Sequence, residues 1–151
     1  MKLRIATSAD IPAIVALERQ SDGAAHWSDE KYNSIFNASN PRRLIVVMET
    51  DGAAVAFLVV RIVGSDWEIE NIVVDSGLRR QGIGSTLIRD LQDRARAEHA
   101  ELLLLEVRES NWAARALYEK AGFIQRGYRS RYYQDPEENA ICYGFEVSSG
   151  E

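Results

Sequence analysis

Residues 42–75 read RRLIVVMETDGAAVAFLVVRIVGSDWEIENIVVD, three β-rich runs divided by two turn signals. Asp51-Gly52 is a strong hairpin signal, because the favoured two-residue turn needs positive φ at both central positions. Gly64-Ser65-Asp66 divides the second run from the third. An antiparallel meander is therefore expected. The period then changes: Ile83, Leu87, Leu91 and Ala95 recur every four residues with Ile88 beside them, predicting an amphipathic helix from Gly82 to Glu98. ELLLLEV at 101–107 is a near-continuous apolar run, as expected of a strand buried on both faces. SNWAARALYEKAGF at 110–123 predicts a short helix capped by Ser110 or Asn111 and stopped by Gly122. FIQRGYRSRYYQ and NAICYGFEV, either side of Asp135-Pro136, are two further β-rich runs. Upstream, KLRIATSADIPAIVALERQ reads as a short strand and a helix, with Ser8 or Asp10 as cap and Pro12 in the first turn. Ile11, Ile14 and Val15 form that helix's buried stripe, and SDEKYNSIF at 28–36 predicts a second helix capped by Ser28.

A chain of 151 residues is the usual size of one domain, here assigned to 1–147, with SSGE at 148–151 as a loose tail. Charged residues spread through the first twenty positions argue against a signal peptide, and no apolar run approaches the length of a membrane span. The single Cys142 excludes an intrachain disulfide and fits a reducing cytoplasm. A net charge of −5 argues against direct nucleic-acid binding, which needs a basic face. His26 and His99 lie far apart and no Cys/His cluster has zinc spacing, so no metal is expected.

VVDSGLRRQGIGSTLI at 73–88 places Arg79, Arg80, Gln81, Gly82 and Gly84 where a helix is about to begin. The first amides of a helix lack intrahelical partners and carry partial positive charge, so they suit an anion such as phosphate. Glycines there let an anion approach the backbone, and the arginines add attraction; the plainer alternative is tight packing. The turn lacks both the P-loop order and G-x-G-x-x-G.

Glu106 ends the apolar run, and strand alternation places it with Leu102 and Leu104. Apolar surroundings would suit the carboxylate to general-base work; the plainer alternative is an ion pair with Arg108 or Arg115. Tyr118 shares a helical stripe with Ala114, Leu117 and Ala121, which also reads as core, and Asn111 also reads as a helix cap. QRGYRSRYY at 125–133 is either a solvated strand face or a rim that grips peptide backbone or an acidic partner surface.

Arg79-Arg80-Gln81-Gly82-Ile83-Gly84 resembles the [QR]-x-x-G-x-[GA] signature of the GNAT superfamily of N-acetyltransferases. The resemblance implies an α/β (α+β) fold, with a mixed, mostly antiparallel sheet of about seven strands flanked by about four helices. It implies acetyl-CoA as co-substrate, its pyrophosphate on the backbone from Arg79 through Ile83 and Gly84 to Ser85. IENIVVD at 69–75 looks like the family's bulged fourth strand, so Ile72, Val73 and Val74 would line the thioester. The Val73 amide would polarise the acetyl carbonyl.

LEVRESNWAARALYEKAGF at 105–123 is similar to the matching block of the RimI-type group, which acetylates the N-terminal alanine of a small-subunit ribosomal protein. HWSDEKY, RSRYY and ENAICYGFEV extend the likeness over nearly the whole chain. By it, Glu106 is the base, Tyr118 the acid, and Asn111 a contact to the pantetheine arm. Trp27, Tyr132 and Tyr133 would meet the substrate. Glu70 is a reserve base, because some GNAT enzymes keep theirs on the fourth strand. Two departures fall toward the peptide side: His26 where proline is expected before Trp27, and Asn139 in place of an acid, whose role Glu137 or Glu138 would take. The expected chemistry is direct transfer in a ternary complex, without an acyl-enzyme at Cys142. A GNAT acting on a polyamine or aminoglycoside is the enzyme alternative. An acetyl-CoA sensor is the non-catalytic one, though a sensor needs neither Glu106 nor Tyr118.

Overall fold

The structure, a computed structural model, describes residues 1–21, 27–37 and 41–147. Its strands are β1 (Lys2–Ile5), β2 (Arg42–Thr50), β3 (Ala53–Val63), β4 (Asp66–Val74), β5 (Leu102–Arg108), β6 (Ile124–Tyr133) and β7 (Glu138–Glu146). Its helices are α1 (Ile11–Arg19), α2 (Asp29–Asn37), α3 (Ile83–Ala97) and α4 (Trp112–Lys120). The strands form one sheet in the order β1-β2-β3-β4-β5-β7-β6. Every pairing is antiparallel except β4 with β5. The mixed, mostly antiparallel fold expected from the sequence is present. His26 and the 148–151 tail lie outside the described residues.

The β2–β3 turn has the backbone its residues favour, with φ of 51° at Asp51 and 78° at Gly52. Along these strands the side chains alternate between two apolar layers. Val46, Met48, Leu58 and Val60 pack toward Leu87, Ile88 and Leu91 of α3. Ile45, Val47, Phe57 and Val59 pack toward Ile14 and Leu17 of α1 and Tyr32 of α2. Full burial of one such aliphatic side chain is worth about 2 kcal/mol, so both helical layers are held by the same few strands.

β5 departs from the expectation of a strand buried on both faces. Leu103, Leu105 and Val107 are buried toward α3, whereas Leu102, Leu104 and Glu106 on the other face are only half-buried. The α1 cap also differs. The Asp10 carboxylate accepts both terminal nitrogens of Arg4 at 2.8 Å and the Thr7 amide at 2.8 Å, and gives α1 no side-chain cap. Ser28 does cap α2, accepting from the Lys31 amide at 3.1 Å.

Two irregularities in β4 open the sheet at its centre. Val59 and Val60 of β3 stand opposite Asn71 and Ile69, which leaves Glu70 as an extra residue. A one-residue slip turns the chain over. Trp67 and Ile69 face α3, but Asn71 and Val73 face α1 and α2, although all four are spaced by two and would share one face in a regular strand. Second, β4 pairs with β5 only from Asp66–Leu102 to Ile69–Leu105. Beyond those residues the two strands part and leave a gap.

Candidate active site

The turn after β4 leads directly to α3. Asp75 accepts from the Gly77 amide at 2.8 Å and starts a short 3-10 turn over Ser76–Leu78. Arg80 and Gly82 both have positive φ, 66° and 80°, and Arg79, Arg80 and Gln81 are exposed. The first helical bond runs from the Thr86 amide to the Gly82 carbonyl at 3.0 Å. The amides of Ile83, Gly84 and Ser85 therefore have no acceptor within the helix, and no side chain caps it. The two glycines serve different purposes. A Cβ on Gly82 would meet nothing within 4 Å, so its need is the left-handed backbone. A Cβ on Gly84 would lie 3.3 Å from the Leu117 side chain, so its need is close packing of α3 on α4.

The gap between β4 and β5 opens beside this turn. The Asp75 amide donates to the Val55 carbonyl at 2.9 Å, and the register runs on through Val74–Ala56 and Val73–Phe57. Antiparallel alternation then directs the Val73 amide toward β3 and the amides of Ile72 and Val74 toward the gap. The Val73 amide, which the resemblance assigns to the acetyl carbonyl, is thus directed toward β3, and which amides point outward depends on a register the sequence does not display.

Across the gap, Glu106 stands on β5 opposite Cys142 of β7. Its side chain is 25% exposed, and Arg129 Nε of β6 lies 2.9 Å from Oε1. Neither Arg108 nor Arg115, the partners weighed from sequence, is the one that meets it. Arg108 pairs with Glu138 at 3.4 Å, and Arg115 donates to the Tyr143 hydroxyl at 3.0 Å and the Glu109 carbonyl at 2.8 Å. A stack of cations and rings extends outward from Glu106. Arg129 lies over Tyr132 at 5.3 Å, Tyr132 meets Tyr133 edge-on at 5.1 Å, and Arg108 lies over Tyr133 at 4.5 Å. Burial, then the Glu106 carboxylate, pushes the Tyr133 phenol up to about 12.

Tyr118 is buried on the inner side of α4 between Phe123 at 5.8 Å and Tyr143 at 6.3 Å. Burial pushes its phenol well above the ordinary tyrosine range. Asn111 caps α4, its Oδ1 accepting from the Ala114 amide at 3.2 Å. Among the described residues, no group of three His, Cys, Asp or Glu is placed to hold a metal ion, and no helix is long and apolar enough to cross a membrane.

Residues 11–123, which contain the helix start, the gap, Glu106 and Tyr118, match the sequence model of the Acetyltransferase (GNAT) family. The chain belongs to the GNAT family.

Similar GNAT proteins span almost its full length. It is 32% identical over 148 residues to the ribosomal protein bS18 alanine N-acetyltransferase of Salmonella typhimurium, covering 97% of each chain. It is 34% identical over 141 residues to the Escherichia coli strain K12 protein of the same name, covering 92% of this chain and 93% of the other. A crystal structure of the Escherichia coli ribosomal-protein-S18-alanine N-acetyltransferase superposes with a TM-score of 0.87 at 32% identity, covering 99% of this chain and 96% of that one. The chain is an acetyltransferase enzyme.

Within this GNAT fold the candidate residues separate into two groups. The turn, Ile72–Val74 and Glu106 border the opening beside β4, and Tyr118 is buried in the core between Phe123 and Tyr143. Glu70 stands apart, held by Arg43 Nε at 2.7 Å with both side chains mostly buried. Trp27 is half-buried at the start of the α2 segment, its ring 5.6 Å from Tyr32 and under Lys31 Nζ at 5.2 Å. At the β6–β7 turn, Asn139 Oδ1 accepts from the Arg131 amide at 3.0 Å, and Glu137 pairs with Arg131 at 3.1 Å. Glu138 holds Arg108, and hydrogen bonding by Ser110 keeps its carboxyl below the usual range.

Sequence reading missed Arg129 as the partner of Glu106, which no local spacing could reveal because β6 reaches β5 only through β7. It also stopped the buried stripe of α1 at Val15. Continuing the same three-to-four spacing from Ile14 and Val15 reaches Glu18, which is 1% exposed.

Proposed function

We propose that this enzyme moves an acetyl group from acetyl-CoA to the N-terminal α-amine of a protein, with the N-terminal alanine of a small-subunit ribosomal protein as the preferred acceptor. The observation that carries the reading is the opening beyond Ile69 and Leu105, where the bare start of α3 and the unpaired edge of β4 adjoin Glu106. The near full-length likeness to enzymes named for alanine acetylation supports the choice of acceptor.

The free amides of Ile83, Gly84 and Ser85, with Arg79 and Arg80 beside them, would hold the diphosphate of coenzyme A. Ile72, Val73 and Val74 would line the thioester arm, and Asn111 would meet the pantetheine. The acceptor amine, whose pKa is about 8, is mostly protonated at neutral pH and must lose a proton before its nitrogen attacks the thioester carbon. Glu106 takes that proton, directly or through one water. The gap-facing amides of Ile72 and Val74 offset the negative charge that develops on the carbonyl oxygen. As the carbon–sulfur bond breaks, Tyr118, kept protonated by its burial, donates to the departing sulfur. The second proton that the nitrogen sheds on becoming an amide restores the Tyr118 hydroxyl, and Glu106 releases the first to solvent. Nitrogen thereby gains the acetyl group, and the coenzyme leaves as its thiol.

Trp27, Tyr132 and Tyr133 would contact the peptide. Arg129 and Arg108 flank Glu106, so a small polycation would meet like charge there. This favours a peptide over a polyamine or aminoglycoside. Incubation with acetyl-CoA and a panel of peptides differing at the first residue, followed by thiol release and mass, tests the assignment. Acetylation of the α-amine with preference for alanine is expected; transfer only to polyamines would overturn it.

A further inference from the structure

Glu18 is the most deeply buried carboxylate among the described residues, and the acetyl transfer proposed for Glu106 and Tyr118 does not use it. No ion pair reaches it among those residues; donors meet it instead. Its Oε1 accepts from the Trp27 backbone amide at 2.9 Å and from Asn71 Nδ2 at 2.9 Å. Asn71 Nδ2 also approaches the hydroxyl of Tyr32 at 3.0 Å, and Tyr32 on α2 is fully buried. Burial, followed by the negative charge of Glu18, drives the Tyr32 phenol upward.

The two ends of this network matter. Asn71 is the first residue after the Glu70 slip, and the next residue, Ile72, directs its amide into the gap. Trp27 is a residue assigned to the acceptor side. One carboxylate oxygen thus fastens the acceptor wall to the strand that would line the thioester. Hydrogen bonds to a charged acceptor are roughly twice as strong as neutral ones, which gives a buried carboxylate a purpose that an apolar side chain cannot serve.

We propose that Glu18 is a positioning residue for the acceptor, fixing the Trp27 backbone at a set distance from β4. The proposal rests on the reading of Trp27 as part of the peptide site. Glu18 touches no reacting atom and acts through Trp27.

The test is steady-state kinetics of the full chain with an alanine-first peptide, comparing wild type, Glu18→Gln and Trp27→Ala. Glu18→Gln is expected to raise the peptide KM at least fivefold while the acetyl-CoA KM stays within twofold, a split that general loosening would not produce. An unchanged peptide KM, or equal rises in both constants, overturns the proposal. Should Glu18→Gln fail to fold, amide exchange in the wild-type protein decides. Exchange of the Trp27 amide at least a hundredfold slower than in an unstructured peptide supports the anchor, and free exchange overturns it. If Trp27→Ala leaves the peptide KM unchanged, the acceptor reading fails and takes the proposal with it. If Trp27→Ala raises the KM and Glu18→Gln does not, the proposal alone falls.

Discussion

Arg129 Nε stands 2.9 Å from Glu106 Oε1, in the one ion pair that reaches this carboxylate among the described residues. The arginine side chain is 60% exposed, so the pair contributes little to folding, at most about 1 kcal/mol. Arg129→Gln should therefore shift the urea midpoint only slightly. Glu106→Gln should lower turnover about a hundredfold or more, the usual worth of a general base, with acetyl-CoA affinity by calorimetry within twofold. Glu70→Gln should keep more activity than Glu106→Gln, because Arg43 holds Glu70 away from other work. Loss of activity in Glu70→Gln alone would exchange the two roles.

Tyr118→Phe keeps the ring that packs on Phe123 and Tyr143 and removes only the hydroxyl. Turnover should fall tenfold to a hundredfold while thermal stability stays close to wild type. Because burial raises this phenol, no loss of activity from Tyr118 ionisation is expected between pH 7 and about 10, the ordinary tyrosine value. A pH–rate profile of wild type against the variant reads this directly.

The alternation of amides along β4 gives a contrast between neighbours. Proline is tolerated in a strand where its missing N–H faces away from the ladder. Val74→Pro should retain the fold, shown by circular dichroism, and lose at least tenfold in turnover. Val73→Pro removes a bond to β3 and should unfold or severely weaken the protein. Equal activity in wild type and Val74→Pro would remove this strand edge from the chemistry.

Gly82 and Gly84 should respond differently to substitution. Gly82→Ala meets no neighbour but forces a side chain into a backbone with φ of 80°, costing about 1 kcal/mol. Gly84→Val presses on Leu117 and should cost about 1–3 kcal/mol, as overpacking does. Urea unfolding of both variants checks the order.

Acid stability offers a further measurement. The Arg4 guanidinium, with the Thr7 amide, holds the Asp10 carboxyl below its usual range. A carboxyl depressed in the folded state adds stability that is fully present above its unfolded pKa of about 3.9 and is lost as pH falls through the folded value. The stability difference between wild type and Asp10→Asn should be constant above pH 5 and shrink steadily below pH 4. A difference independent of pH would mean that the Arg4 contact contributes nothing through charge.

Much of this was legible along the chain. The Asp51-Gly52 hairpin, the period of α3 and the Asn111 cap depend on neighbours in sequence, and each appears where local chemistry puts it. Two kinds of failure remain. The buried state of Glu18 and the use of Asp10 by Arg4 and Thr7 are local, whereas the partner of Glu106 and the outward amides of β4 depend on strand order and register, which bring together residues far apart in the chain. The half-exposed face of β5 is of the same kind, since four leucines in a row do not disclose that one side of them stays partly open.

The short ladder between β4 and β5 also bears on how the molecule is assembled. β1 to β4 pair in series, and β5 to β7 lie together, so most strand contacts on either side form between nearby segments. The strands of the two halves pair at only four parallel positions, which must wait for α3 to span the sheet and pack on both sides of them. With so few backbone pairs across it and a shared apolar core above it, the boundary between Ala97 and Leu102 is the natural place to divide the polypeptide into two fragments that reassociate.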